Sequence, residues 1–217
     1  MEGALELERV MNRIAPDVLA LFATLAFHDY YASLGWRLKR PHAFPTEAEY
    51  AQIGRAGLVE PQRLQVSDLA RMHALCRALA ELPVVGHAAW VEACFRLGDN
   101  REREALLTGL VLLPEPEHFR ATAVDACRAA VQSTFEAIAC ENAYPAKYFP
   151  QAAFRAMVLK ALHLGVGVHR IVGLTDRLDA ELAGMASDYA SELRAAGKAV
   201  PADIEFVLSK GEQQHDG

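Results

Sequence analysis

An arginine inside an apolar stripe is the sharpest chemical signal in this chain. Over residues 121–140 a turn of about 100° per residue lines up Val124, Cys127, Val131, Phe135 and Ile138, and Arg128 projects among them. A guanidinium on a core-facing surface needs a partner, because an isolated buried charge is costly. Arg128 therefore either lines an anion-binding pocket or ties carbonyls or a carboxylate of a neighbouring helix, the commoner arrangement.

Further candidates for chemistry lie downstream. Lys160 sits within MVLKAL, opposite the stripe of Phe154, Met157, Val158, Ala161 and Leu162, where a solvated lysine is the default. Asp188 and Glu192 stand four apart, a spacing that lets two carboxylates share a substrate or simply form a solvated acidic edge. Asn142 and Tyr144 fall in the Pro/Tyr-rich turn ENAYPAKYFP, where their polar groups either fix the turn or contact a ligand. His163 and His169 are six apart across a glycine break, which matches no zinc spacing, and His28–Asp29 lacks a third group. Gly165-x-Gly167 lacks the strand that a dinucleotide fingerprint requires. No nucleophile–base pair, metal cluster or phosphate loop is legible, so no catalytic residue is assigned and no metal or cofactor is expected.

The elements that must position these groups are helices. Helical periods are expected over 4–14 and, restarted by Pro16–Asp17, over 17–34. A loop at 35–45, GWRLKRPHAFP, is the only strongly basic patch. Thr46 and Glu49 form a capping box for a helix to about Ile53, and Ser67–Asp68 opens another over 68–81. Helices follow at about 87–96, 100–112, 117–140, 151–164 and 177–196, a short piece lies near 168–172, and Pro201 starts the last helix. The expected fold is all-α: an array of antiparallel helix pairs, loosely repeat-like, or an irregular bundle. One domain over 1–210 and a disordered tail over 211–217 are expected.

Composition narrows the function classes. The net charge of −6 disfavours nucleic-acid binding. The acidic N-terminus, MEGALELERV, does not read as a signal peptide. The longest apolar run, Val18 to Phe27, is about half the ~20 residues of a membrane span. Four widely spaced cysteines without CxxC complete a cytoplasmic reading without structural disulfides.

From about Asp68 onward the chain resembles the EboA family, found in gene clusters linked to metabolite production and traffic. The runs that carry the resemblance are LLTGLVLLPEPEHF (106–119), RATAVDACRAAVQSTFEAIACENAYPAKYF (120–149), MVLKALH (157–163) and HRIVGLTDRLDAELAGMASDYASELRAAGK (169–198). Against the family pattern, Ala129-Ala130 replaces Thr-Asn after Arg128, Ala143 replaces proline, Arg155-Ala156 replaces Asn-Gln, and Ser191 replaces histidine. These departures mark a divergent branch. The resemblance implies a pathway context rather than a reaction. Two functions are open on this basis. One is a cytoplasmic binding or adaptor protein whose partners are a small-molecule metabolite or pathway proteins. The other is a small enzyme acting on an anionic metabolite, a sugar phosphate or cyclitol, with Arg128 and Lys160 holding the anion and a carboxylate as general acid/base.

Overall fold

Apolar helical periods punctuated by proline and glycine fold into fourteen α-helices in the computed structural model, which describes residues 2–39 and 43–213. No β-strand element occurs among the described residues. The chain is all-α, as its periodicity requires. It divides into two compact units, residues up to Ile138 and residues from Ala139 onward. Residues 40–42 of the basic loop and 214–217 of the expected tail lie outside the described residues.

The first unit holds α1 (Glu2–Ile14), α2 (Pro16–Ala20), α3 (Phe27–Arg37), α4 (Glu47–Arg55), α5 (Val66–Ala80), α6 (His87–Leu97), α7 (Asn100–Gly109) and α8 (Arg120–Ala126), and α9 (Gln132–Ala139) closes it. Its centre is α5, buried on nearly every side, with α1, α3 and α7 packed against it. Polar side chains are buried on it together with the apolar ones, Ser67, Arg71 and His73 among them. Close approach to α7 depends on Gly109: a β-carbon there would stand 2.7 Å from Cγ of Met72. The Tyr31 hydroxyl donates to the Glu102 carbonyl at 3.0 Å and joins α3 to α7.

Helix starts follow local chemistry. Thr46 and Glu49 form the expected capping box, each side chain accepting from the other's backbone N–H. Asp99 and Glu102 do the same for α7. Pro16 occupies the first turn of α2, where its missing N–H costs nothing.

Several expected helices are interrupted. The 17–34 segment breaks between Ala20 and Phe27, and a 3-10 turn at Leu21–Ala23 resets the helical face, so the deeply buried residues become Tyr30, Tyr31 and Leu34. The 117–140 segment breaks after Ala126. There the Arg128 and Ala129 amides bond to the Asp125 and Ala126 carbonyls, i to i−3, and the helix tightens and stops. Helix α3 also runs through Gly35 to Arg37, into the stretch expected as loop.

The second unit holds α10 (Tyr144–Tyr148), α11 (Gln151–Leu164), α12 (Leu174–Arg177), α13 (Ala180–Ala195) and α14 (Ala202–Gln213). Helix α13 packs on both α11 and α14, burying Leu182, Ala186 and Ala190 with Ile204 and Val207. Asp179 caps α13 by accepting from the Leu182 amide at 2.9 Å, which splits the expected 177–196 helix.

Candidate functional site

The Tyr/Pro turn lies in the second unit. Glu141 takes the left-handed conformation, φ 45°, that ends the preceding segment. Its amide donates to the Arg170 carbonyl at 2.9 Å, and its carboxylate receives Nε and Nη2 of Arg170 at 2.8 and 2.9 Å. Asn142, 3% exposed, accepts from the Tyr144 amide at 2.9 Å and starts α10. Tyr144 is fully buried and packs against the Tyr148 and Phe149 rings.

Asparagine tolerates left-handed geometry and a residue before proline is pushed towards extended backbone, and the turn departs from both tendencies. The left-handed residue is Glu141 rather than Asn142, because the Arg170 pairing holds it there. Tyr144 is helical rather than extended, because the Asn142 side chain supplies the cap that lets Pro145 sit in a first turn. Beyond the turn, Arg177 donates to the carbonyls of Pro145 and Ala146 and to Oε1 of Gln151, and its guanidinium lies 4.5 Å from the Phe154 ring centre. The Arg155 guanidinium binds Asp179 and Glu181, which holds the Asp179 carboxyl down at about 2. These contacts occupy the Arg155 and Arg177 guanidinium groups with protein partners.

Arg128 is not core-facing. The helix break carries it to the surface of the first unit, where its side chain is 77% exposed and lies 3.4 Å from Asp125. Val131, expected in the same buried stripe, is 40% exposed, whereas Phe135 and Ile138 are buried as expected. In the second unit Asp188 and Glu192 are exposed along α13, and Lys160 is half-buried on α11. His163 stacks on Tyr189 at 4.0 Å, fastening α11 to α13.

A concave site lies in the first unit. A pocket of about 480 Å³ opens between α1, α5 and the start of α6, within the ~300–1,000 Å³ range of small-molecule sites. Its apolar wall includes Leu5, Leu79, Leu82, Val84, Leu112 and Pro114. Leu5, Leu82 and Val84 are exposed, which marks the side open to solvent. Glu8 and Arg77, both half-buried, bring the charges. The Arg77 guanidinium stands 4.8 Å from the Phe22 ring centre. None of Arg128, Lys160, Asn142, Tyr144, Asp188 or Glu192 lines this pocket.

Two buried histidines are among the lining residues, their unpartnered ring nitrogens closed to solvent. His73, 1% exposed, has no hydrogen-bond partner within the described residues at either ring nitrogen. Burial, aided by the Arg77 charge, pushes its pKa down to about 4, so the ring is neutral at ordinary pH. The Nε2 of buried His87 lies 3.1 Å from the Leu82 carbonyl, while its Nδ1 has no partner among the described residues. Cys76 also lines the pocket. Burial pushes its thiol up to about 12, so it is a protonated, unreactive group.

The sequence carried a signal for His73. It falls on the Leu69, Met72, Cys76, Leu79 face of α5, where an imidazole interrupts an apolar stripe. His87 gave none, because its burial depends on the 82–86 turn folding over it. Among the described residues no group of three or more His, Cys, Asp or Glu is placed to hold a metal. Among the same residues no helix is long and apolar enough to cross a membrane.

No curated protein and no solved structure matches the chain. The family model described as metabolite traffic protein EboA matches residues 42–208, which include α5, α6 and every element of the second unit up to α14. The match covers most of the chain and all the motif runs quoted above, and the protein belongs to the EboA family.

Proposed function

We propose that this protein binds a small molecule in a metabolite-traffic pathway, in the cytoplasm, and that the first-unit pocket holds that molecule. One observation carries the reading. A cavity of ligand size opens between α1, α5 and the start of α6, with an extended apolar wall and the Glu8 and Arg77 charges beside it. The family description, metabolite traffic, supports the same reading.

Native mass spectrometry after gentle purification tests this directly. The expected spectrum contains the chain with one small molecule attached. A spectrum with neither a bound small molecule nor a pathway protein counts against the proposal.

A further inference from the structure

The cavity carries one charge of each sign on an apolar wall, and the ligand class follows from how those charges are left; this step rests on the cavity being the binding site. Glu8 stands three and four residues after Leu5 and Ala4 on α1, and Arg77 three before Ala80 on α5, so both lie on the helix faces that line the cavity. Each is half-buried. Neither makes a hydrogen bond or ion pair, with the other or with any third group, among the described residues. Charges nearby are not left so. Glu6 and Arg9 pair at 2.7 Å on α1, Arg71 lies 3.5 Å from Asp68, and Arg103 donates to the Phe95 and Arg96 carbonyls. The Arg77 guanidinium rests instead against the Phe22 ring, 4.8 Å from its centre, which positions the group without neutralising it.

While the cavity is open, solvent meets the exposed part of each charge. A molecule that fills the cavity takes that solvent away, and a charge covered without a partner is costly. A plain hydrocarbon offers neither charge a partner. A fatty carboxylate meets Arg77 but brings a second negative charge towards Glu8, and an alkylamine does the reverse. From the apolar wall and these two unpaired charges we infer that the ligand is an apolar amphoteric molecule, an amino-acid-like head on a hydrocarbon body. Its carboxylate meets Arg77, whose planar fork suits that group, and its ammonium meets Glu8.

Displacement of the uncharged fluorophore N-phenyl-1-naphthylamine provides the test, with competitors of one chain length: 2-aminodecanoate, decanoate, decylamine and 1-decanol. One charge-assisted hydrogen bond gained or lost corresponds to roughly a tenfold change in affinity. The expected order places 2-aminodecanoate about tenfold tighter than each of the other three. In Glu8→Gln the amino acid and decanoate come within about twofold of each other, with decylamine still weaker. In Arg77→Gln the amino acid and decylamine converge in the same way, with decanoate still weaker. If either variant fails to fold, the ranking on the native protein decides alone. Decanoate, decylamine or decanol binding as tightly as the amino acid overturns the amphoteric assignment and leaves the cavity as a site. No fluorophore binding at all removes the pocket reading itself.

Discussion

Glu141 and Arg170, 29 residues apart, are joined three times: two side-chain hydrogen bonds at 2.8 and 2.9 Å, and the Glu141 amide on the Arg170 carbonyl at 2.9 Å. The pair ties the ENAYPAKYF turn to the HRIVGL segment, two of the runs that carry the family resemblance. A bidentate, partly buried pair of this geometry is stronger than an exposed ion pair. Glu141→Ala removes both side-chain bonds while keeping the left-handed backbone, and is expected to cost about 2 kcal/mol in urea unfolding. Glu141→Gly, which adopts φ 45° without strain, recovers part of that loss.

Asn142 acts on the same turn from inside. Its buried Oδ1 receives the Tyr144 amide, so Asn142→Ala strands an N–H and is expected to cost about 1–2 kcal/mol. Thermal and urea unfolding report the loss. An unchanged melting temperature combined with abolished ligand or partner binding would make Asn142 a binding residue instead.

His73 gives a pH dependence of definite sign. The unfolded ring takes a proton near pH 6.5 and the folded one near 4. Between these values the unfolded state binds more protons, so stability is full above about pH 6.5 and falls as pH drops through 4. The contribution approaches about 3 kcal/mol at its limit. The difference in unfolding free energy between the native protein and His73→Leu, followed from near pH 7 to near pH 4, is expected to shift by an amount of that order in favour of the variant.

At neutral pH and without ligand, His73→Leu is itself expected to be no less stable than the native protein. The substitution removes two unpaired buried nitrogens and supplies apolar atoms of similar volume. A large loss of stability in this variant at neutral pH would show that the imidazole makes an essential protein contact.

Arg128→Ala is expected to leave stability within about 0.5 kcal/mol of the native value, because the side chain is exposed and its ion pair with Asp125 is solvated. Melting curves at low and high salt check this.

Local chemistry made much of the fold legible. Helix α11 has the expected bounds, 151–164, because Pro150 starts it and Gly165, at φ 68°, ends it. The Thr46–Glu49 box was readable for the same reason: both partners lie within one turn. The interruption at 127–131 was not, since Cys127-Arg128-Ala129-Ala130 holds no proline or glycine and each residue tolerates a helix. That single break moved Arg128 from core to solvent. Glu141 was hidden for a different reason, because its left-handed backbone is held by Arg170, remote in sequence. The pocket draws on α1, α5, the 82–87 turn and 112–114, and periodicity within one helix cannot report which segments meet.

The pocket is tested most directly by filling it. Ala80 lines it at the exposed end of α5, where a larger side chain can enter the cavity without disturbing the buried face of the helix. N-phenyl-1-naphthylamine titrated into the native protein is expected to bind at one saturable site. In Ala80→Trp the binding is expected to weaken by at least about tenfold, at an unchanged melting temperature. Equal binding by both proteins, with both fully folded, would place the fluorophore elsewhere and contradict the assignment of this cavity as the binding site.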